Sequence, residues 1–531
     1  MAAADRLSGL TEDLLVSILS FLPAKDAART AVLSRQWRPL WLTTDTLNLD
    51  SSSYDDMGNR DCSRLKDRLF SDASDALGAT GRRPIRKLSL FIKGRSLSRD
   101  DSYELMVSLL ATPALKQIAE LRVGLMSSTQ QYKLDPTLLP GHTLRSLDLA
   151  CCTLQSSPGG AASFPRLSVL RLRMCSSSTK DLEDLIRATP SLGSLHIENH
   201  VFQSLSRADN SNPLVVRSPS LTTLTLVGPF RVDDCAPHSK LARFGARKGI
   251  ELDTPSLRVF KYSRPLTEFS MRSQATRLAR VDLTLELMYE EEEEDGKWVE
   301  VRFAPFWQFL RNFQHAKAIR LKVQNIDCIT AGRKKSMRPE HLVTFPGLER
   351  LELQLSYGTG RRNDVAAIVS KLLQCCPAIH DLRIRITTHP WYYRLPNMIG
   401  REVPLSDSDV SMGLFKRCDT KEIVPLMLKN DKDGCSHVLL QTGCGFNCLQ
   451  NCRKNVKIQF ELMELGSPEV YRAKFSVENC MVLSVMQIDE VNVNFLRHVN
   501  SIVERWRADA LKRREQKERI QLKRAERKRG S

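Results

Sequence analysis

A short pattern of aliphatic side chains recurs along most of this chain and constrains its fold more than any other feature. The pattern is L-x-x-L-x-L, where L is any aliphatic residue or an occasional aromatic one. It occurs eleven times between residues 85 and 384, and successive copies begin 21 to 40 residues apart. Its last two apolar residues alternate with a polar one, which places both on one face of a short strand. Such a strand cannot bury its apolar face alone, so the copies are expected to stack on one another.

Two copies extend to the phrase L-x-x-L-x-L-x-x-C that is typical of leucine-rich repeats, LRSLDLACC (144–152) and LSVLRLRMC (167–175). Six copies have Pro two residues before the first aliphatic, which ends the preceding crossover. An ordinary α/β domain with a buried parallel sheet is the alternative, but it would not repeat this Pro. The sequence predicts an α/β solenoid over residues 80–390. The apolar triplets are Ile85/Leu88/Leu90, Ile118/Leu121/Val123, Leu144/Leu147/Leu149, Leu167/Leu170/Leu172, Leu192/Leu195/Ile197, Leu221/Leu224/Leu226, Leu257/Phe260/Tyr262, Leu278/Val281/Leu283, Ala318/Leu321/Val323, Leu348/Leu351/Leu353 and Ile379/Leu382/Ile384.

A small helical module precedes the repeats, over residues 5–45. Thr11 is placed as the N-cap of a first helix, and Pro23 is expected to end that helix. A second helix is predicted over 24–30 and a third over 31–40. Three short helices cannot bury all of the large apolar residues of this segment, so some are expected to face a partner.

The stretches DRLSGL, DLLVSILSFLPAKDAARTAVLS and WRPLW of this module resemble the F-box motif. The resemblance implies binding to a SKP-family adaptor and, through it, to a cullin. The sequence departs from the motif at Thr11, where Pro is usual, and at Gln36, where a basic residue is usual. A helical cap that shields the first repeat is the alternative. The residues implied for adaptor binding are Leu7, Leu10, Leu14, Leu15, Ile18, Leu19, Leu22, Pro23, Val32, Leu33 and Trp37.

The carboxyl-terminal third differs from the repeats. Within residues 391–490, a strand is predicted over 455–465 and a helix followed by a short strand over 471–489. The pattern CLQNCRKNVKIQFEL…AKFSVENCMVLSVMQI resembles the FBD region of plant F-box/leucine-rich-repeat proteins, which implies a C-terminal α/β cap. Residues 491–531 are predicted to form a basic helical tail that holds 12 Lys/Arg and 4 Asp/Glu from residue 505 onward.

Several residue groups are candidates for catalytic or metal sites, but their spacing does not favour either kind of site. Zinc would need tetrahedral ligands from Cys435, His437, Cys444, Cys448 and Cys452, but paired C-x2-C knuckles are absent. HIENH (196–200) lacks the Glu position of H-E-x-x-H. The acidic run 290–295 and the aromatic cluster 391–393 are better explained by solvation and packing. We therefore expect neither an enzyme nor a cofactor.

In a solenoid the residue between the last two aliphatics of each repeat points to solvent from the sheet. This row leans basic, which suits a target protein with acidic or phosphorylated groups. The alternative is that the row only keeps an open sheet soluble. The residues predicted to bind the target are Arg122, Asp148, Arg171, His196, Lys261, Lys322, Glu352 and Arg383.

Taken together, these features predict a substrate-recognition adaptor of an SCF-type E3 ubiquitin ligase, a non-catalytic subunit. A non-ligase interaction scaffold is one alternative, and a nucleic-acid-binding repeat protein that uses the basic tail is a less favoured one. No run approaches the ~18 apolar residues of a membrane span, so no membrane partner is expected. From the basic tail and the low density of Cys we expect the protein in the nucleus, the cytoplasm or both.

Overall fold

The computed structural model divides the chain into two compact units. The first contains Met1–Lys261 with Thr267–Ala275 and the second contains Tyr262–Leu266 with Thr276–Ser531. The residues described are 9–51, 62–78, 84–93, 107–126, 131–156, 162–203, 213–228, 231–233, 249–264, 267–285, 306–323, 343–357, 372, 375–388, 455–461, 483–489, 508, 512, 515–516 and 519.

The first unit opens with three short helices, α1 (Glu12–Leu19), α2 (Ala24–Arg29) and α3 (Trp37–Thr43). Two boundary predictions were wrong. The first helix ends at Leu19, and Pro23 instead precedes α2 as its N-cap, because Pro fits the start of a helix better than its interior. The predicted third helix is a single 3-10 turn over Thr30–Val32, and α3 begins only at Trp37. The module core consists of Leu15, Leu19, Ala27, Trp37 and Leu40.

Thr11 is the N-cap of α1, but its side chain makes no capping hydrogen bond. Its φ of −65° equals the value that a proline ring imposes, and among the described residues its amide donates no backbone hydrogen bond. We therefore expect Thr11→Pro to raise the free energy of unfolding by about 0.4–1 kcal/mol, through a less flexible unfolded chain. Urea denaturation would measure the change. Thr30→Pro is the matched control, because Thr30 has a φ of −62° and an amide that bonds to helix carbonyls. A Thr11→Pro protein as unstable as Thr30→Pro would contradict the prediction.

The main sheet of the first unit is parallel, and its strands follow one another in register from repeat to repeat. Its first strand lies before residue 80, directly after the helical module, and was not predicted. Its strands are β1 (Thr46–Asp50), β2 (Lys87–Lys93), β3 (Glu120–Met126), β5 (Ser146–Ala150), β7 (Val169–Arg173), β9 (Ser194–Glu198) and β12 (Thr223–Val227).

Each repeat from 146 to 233 turns a corner after its main strand. The corner residues have positive φ: Cys151 (59°), Met174 (51°), Asn199 (49°) and Gly228 (74°). The chain then enters a second parallel sheet, whose five strands lie side by side in their order along the chain. Its strands are β4 (Tyr132–Leu134), β6 (Cys152–Leu154), β8 (Ser176–Ser177), β10 (Val201–Gln203) and β13 (Arg231–Asp233).

A third, small parallel sheet completes the strands of the first unit, and helices and turns connect the repeats. Each of the six predicted Pro lead-ins begins a two-residue turn just before a strand, as at Pro165 and Pro190. The third sheet contains β11 (Leu214–Arg217), β14 (Ile250–Asp253) and β16 (Phe269–Met271); the helices are α4 (Cys62–Gly78), α5 (Thr179–Arg187) and the 3-10 turns Pro113–Leu115 and Pro136–Leu138.

The aliphatic triplets are the core of the repeats. In ten of the eleven predicted copies, all three residues are buried. The position that closes the repeat phrase is also buried and is held by Cys152, Cys175 and His200 in successive repeats. The Cys152 and Cys175 sulfurs lie 3.4 Å apart. The repeat pattern was therefore assigned correctly in these copies, and His200 takes a place that the sequence analysis had not assigned to it.

The second unit continues with parallel strands, and α6 (Phe306–Arg311) lies between the first two. The strands predicted near 455 and 489 are confirmed and pair with one another. The helix predicted at the start of 471–489 lies outside the described residues. The strands are β17 (Arg280–Leu285), β18 (Ala318–Val323), β19 (Arg350–Tyr357), β20 (Asp381–Thr388), β21 (Asn455–Glu461) and β22 (Leu483–Asp489); β15 (Val259–Arg264) has residues in both units.

One repeat in the second unit was predicted two residues out of register. Arg320, not Lys322, lies opposite Asp282 in β17 and Glu352 in β19. The buried triplet is therefore Ala316/Ile319/Leu321. The run Ala316–Val323 offers apolar residues at two alternating registers, and small Ala316 is a weaker signal than Val323.

Among the described residues, none of the helices is long and apolar enough to cross a membrane.

Candidate functional site

Exposed apolar side chains concentrate on the helical module. Seven large hydrophobic residues are exposed in the described part of the chain, and five of them lie between residues 14 and 33. Large apolar groups left exposed within one small module indicate a protein-binding surface. We call these five residues the F-box surface: Leu14 (52% exposed), Ile18 (40%), Phe21 (82%), Val32 (87%) and Leu33 (64%).

The helices of the module explain this exposure. In α1, Leu15 and Leu19 occupy one stripe and are buried in the module core. Leu14 and Ile18 occupy the adjacent stripe, and Phe21 follows at the spacing of one further helical turn. Short helices bury one stripe each, so the second stripe is left to solvent or to a partner.

The residues implied for adaptor binding therefore have different positions. Leu14, Ile18, Val32 and Leu33 are exposed and available to a partner. Leu15, Leu19 and Trp37 are buried in the module core, while Leu10 and Leu22 pack against it. Pro23 is half-buried and Leu7 lies outside the described residues. The sequence analysis did not include Phe21 among the adaptor-binding residues, although its spacing of three residues from Ile18 indicates the same side of the helix.

A side chain of the main sheet anchors the turn that carries Phe21. Asn48, in β1, donates from Nδ2 to the backbone oxygen of Ser20 at 2.8 Å and to that of Leu22 at 3.1 Å. These two carbonyl oxygens lie just after the last turn of α1, where helix amides no longer supply hydrogen-bond donors. Only Thr44 and Asp45 separate α3 from β1, and the Thr44 hydroxyl donates to the Trp41 oxygen at 2.9 Å. The helical module and the sheet are thus joined without a linker.

We expect Asn48→Ala to lower the free energy of unfolding by about 1–2 kcal/mol, because two partly buried carbonyls lose their donor. Urea denaturation would measure the loss, and limited proteolysis would test whether residues 20–22 become accessible. Thr46→Ala is the matched control on the same strand, where the Thr46 hydroxyl donates to the carboxylate of the adjacent Asp45 at 3.2 Å. Equal stability of the Asn48→Ala and Thr46→Ala proteins would contradict the anchoring role.

A second candidate surface lies on the open face of the sheet, opposite the buried aliphatics. Strand register places the central residues of six neighbouring strands side by side. Neighbouring positions in such a row are about 4.8 Å apart. We call this the open-face row: Ser89, Arg122, Asp148, Arg171, His196 and Thr225.

Within the open-face row, the one carboxylate is neutralised by arginines. Asp148 is buried, with Arg122 Nε at 3.2 Å from Oδ2 and Arg173 donating from Nη2 to Oδ1 at 3.0 Å. His196 Nε2 lies 3.3 Å from Glu198 Oε2. Arg171 is exposed and has no acidic partner among the residues that the structure describes. The row therefore keeps one uncompensated guanidinium at its centre.

The corresponding row of the second unit is paired internally. Arg320 lies 3.1 Å from Glu352, Arg280 2.9 Å from Asp282, and Arg383 3.5 Å from Asp381. Asp282 also raises the pKa of the Arg280 guanidinium by hydrogen bonding and charge. Glu352 and Arg383 are thus engaged within the unit. Lys322 lies in β18 two residues after Arg320 and is therefore not part of this row. Lys261, in β15, is exposed.

Only some of the candidate metal and catalytic groups lie within the described residues. Three or more His, Cys, Asp or Glu that could hold a metal do not come together anywhere in the described ranges. His196 lies on the open face and His200 in the core, so HIENH does not form a pair of ligands. The cysteines from 435 to 452, the acidic run 290–295 and the aromatic cluster 391–393 lie outside the described residues.

These features define a class of protein, a helical interaction module joined to parallel-strand repeats. Residues 7–47 match the F-box domain family, and residues 106–235 match the leucine-rich repeats of a family described as FBD-associated F-box protein At5g56370. The chain therefore carries an F-box domain followed by leucine-rich repeats, in the arrangement of plant F-box/FBD/leucine-rich-repeat proteins.

Curated relatives from Arabidopsis thaliana agree with this assignment. F-box/LRR-repeat protein At3g58940 is 24% identical to this chain over an alignment that covers 72% of this chain and 55% of that protein. Putative F-box/FBD/LRR-repeat protein At4g00315 is 25% identical over 83% of this chain and 91% of its own length. F-box/FBD/LRR-repeat protein At5g22700 is 31% identical over 42% of this chain and 47% of its own length. Proteins of this kind are generally non-catalytic adaptors, and F-box domains generally bind SKP-type proteins.

Proposed function

We propose that this protein is a substrate-recognition adaptor of an SCF-type E3 ubiquitin ligase. The F-box surface would bind a SKP-family adaptor, and through it a cullin, while the repeats bind a target protein. The observation that carries this proposal is the exposure of Leu14, Ile18, Phe21, Val32 and Leu33 on a module whose core is already filled. A shielding cap would bury these side chains within the chain instead.

The protein would form no covalent bond itself and would act by proximity. The F-box surface and the open-face row belong to the same compact unit, and Asn48 ties the F-box turn to β1. A target on the row would thus be held at a defined position relative to the adaptor. This arrangement supports Arg122, Asp148, Arg171 and His196 as the part of the predicted target site to test first.

The test is complex formation by the full chain. Purified protein is mixed with a SKP-family adaptor, and then with that adaptor bound to a cullin, and each mixture is analysed by size-exclusion chromatography. We expect co-elution in both mixtures. Failure to co-elute with the adaptor would overturn the proposal and leave a non-ligase interaction scaffold as the function.

The remaining expectations complete the proposal. The repeats would form a solenoid over residues 80–390, residues 391–490 an FBD-like cap, and residues 491–531 a basic helical tail. The protein would act in the nucleus, the cytoplasm or both, which the low density of Cys and the basic tail support. Imaging of the full chain and of a chain truncated at residue 504 would test the role of the tail.

A further inference from the structure

Two cysteines of consecutive repeats lie in contact at the closing position of the repeat phrase. Cys152 begins β6, and Cys175, 23 residues further along the chain, directly precedes β8. Both are free thiols with fully buried side chains, and their sulfur atoms are 3.4 Å apart. Neither belongs to the F-box surface or to the open-face row, so the proposed function makes no use of their chemistry.

The strand register brings the two cysteines within the range of a disulfide. In the pairing of β6 with β8, Thr153 lies opposite Ser176, and their hydroxyl oxygens are 2.9 Å apart. Cys152 and Cys175 each occupy the position before this pair, where neighbouring strands are about 4.8 Å apart. Disulfides join Cα atoms that are about 4.4–6.8 Å apart. An S–S bond of about 2.0 Å can therefore form by side-chain rotation, without separation of the strands.

The corner residues next to the two thiols provide a route from the surface. Cys151, which is half-buried, precedes Cys152, and Met174, which is exposed, precedes Cys175. Both buried sulfurs thus lie one residue from a solvent-facing corner. Hydrogen peroxide is little larger than water, so a local opening of one corner is enough to admit it.

We propose that Cys152 and Cys175 form a reversible disulfide when the protein meets hydrogen peroxide, and that this bond cross-links two consecutive repeats. Disulfides in reducing compartments are usually transient and redox-sensing, which suits a bond that forms only on exposure to an oxidant. The proposal does not depend on the ligase function, because the two cysteines are separate from the surfaces that would bind the adaptor and the target.

Cys175 is the sulfur expected to react first. Burial raises the pKa of both thiols, but the hydrogen bond from Cys152 gives the pKa of Cys175 a net downward shift. The Cys175 thiolate attacks one peroxide oxygen, the O–O bond breaks, and a sulfenic acid and hydroxide form. The Cys152 thiol then attacks the Cys175 sulfur, the S–O bond breaks, and the thiol proton leaves with the oxygen as water. The hydroxide takes up a proton to give the second water, so two thiols and one peroxide yield one disulfide and two waters.

Peptide mapping of the full chain tests the proposal. The folded protein is treated with hydrogen peroxide, its remaining thiols are alkylated in denaturant, and it is digested with trypsin without reduction. We expect the peptides 146–166 and 174–180 to be linked at least tenfold more than in untreated protein, and dithiothreitol to remove the link. Tandem mass spectrometry should place the link on Cys152 and the alkyl group on Cys151. Recovery of Cys152 and Cys175 as alkylated thiols, or as sulfinic and sulfonic acids alone, would overturn the proposal.

Two controls separate this disulfide from other routes of oxidation. Cys151→Ser removes the neighbouring half-buried thiol and should form the link as the wild type does, whereas loss of the link would show that Cys151 is the partner and the assignment is wrong. Cys375 and Cys376 are buried in the second unit and should stay alkylatable. Oxidation of these two cysteines to the same extent would show that peroxide acts on unfolded chains, which also overturns the proposal.

The cross-link should also be visible in stability. A disulfide restricts the unfolded chain, so the peroxide-treated protein should unfold at a higher urea concentration than the untreated protein. Cys175→Ala should lose this shift, and the Cys151→Ser protein should keep it. If Cys175→Ala does not fold, the peptide map and urea midpoints of the wild type and Cys151→Ser decide. Equal midpoints before and after peroxide would contradict a cross-link between the repeats.

Discussion

Replacing Val32 and Leu33 together by aspartate should abolish binding of the full chain to a SKP-family adaptor without unfolding the F-box. These side chains are among the most exposed large apolar residues described, and neither belongs to the module core. Burying each against a partner would contribute about 1.5–3 kcal/mol. Loss of both amounts to at least ~3 kcal/mol, or roughly a hundredfold in affinity, before the cost of burying two carboxylates is added. Isothermal titration calorimetry would measure the affinity.

Two control variants separate loss of the surface from loss of the fold. Leu138→Asp introduces the same change at another exposed apolar position of the first unit and should leave the affinity unchanged. Leu15→Asp with Leu19→Asp should also lose binding, but through unfolding, because both leucines are buried in the module core. Circular dichroism distinguishes the two causes. Wild-type affinity in the Val32→Asp/Leu33→Asp protein would contradict the assignment of the F-box surface.

The repeats could be predicted from the sequence because their signal is both local and repeated. Each buried triplet, such as Leu144, Leu147 and Leu149, specifies the inward face of one strand by period-2 alternation. In six of the copies a Pro lead-in marks the turn just before the strand, since Pro cannot continue a helix. Where the pattern offered two registers, between Ala316 and Val323, only the pairing with β17 and β19 decided between them.

The sequence predicts that the helical module exposes apolar side chains, but it does not specify all of those that form the F-box surface. The sequence shows that the module has more apolar residues than three short helices can bury, but it does not say which stripe is buried. Leu15 and Leu14 are adjacent in the sequence, yet one is buried and the other exposed because Trp37 and Leu40 of α3 pack on one side of α1. The Asn48 contacts with Ser20 and Leu22 span 28 and 26 residues, respectively. No local pattern encodes such a contact.

His200 illustrates a position that the repeat pattern could have assigned. It follows the positive-φ corner residue Asn199, just as Cys152 and Cys175 follow Cys151 and Met174. It is fully buried, its Nε2 lies 2.9 Å from the Ser177 hydroxyl, and its ring meets Phe202 edge-on at 4.9 Å. Extending the phrase L-x-x-L-x-L-x-x-C to Leu192, Leu195 and Ile197 places His200 at its closing position.

Burial of His200 should make the first unit sensitive to acid. Loss of hydration lowers the pKa of this imidazole from 6.5 to about 3. Between these two values the unfolded chain binds a proton that the folded chain does not, so the free energy of unfolding falls as the pH falls below 6.5. At pH 5 the lost stability is about 2 kcal/mol, since each pH unit below the unfolded pKa is worth about 1.4 kcal/mol.

Replacement of His200 by asparagine should remove this dependence. Asparagine can still bond to the Ser177 hydroxyl, but it does not titrate, and its smaller side chain leaves Phe202 less well packed. The variant should therefore be less stable than the wild type at pH 7.5, and the difference should shrink by about 2 kcal/mol at pH 5. Urea denaturation of the full chain at both pH values measures the difference, in which contributions from other titrating groups cancel. His142→Asn, at an exposed position of the same unit, is the matched control and should keep the wild-type dependence. If the free energy of unfolding fell equally between pH 7.5 and pH 5 in the wild type and in His200→Asn, the buried imidazole would not govern acid stability.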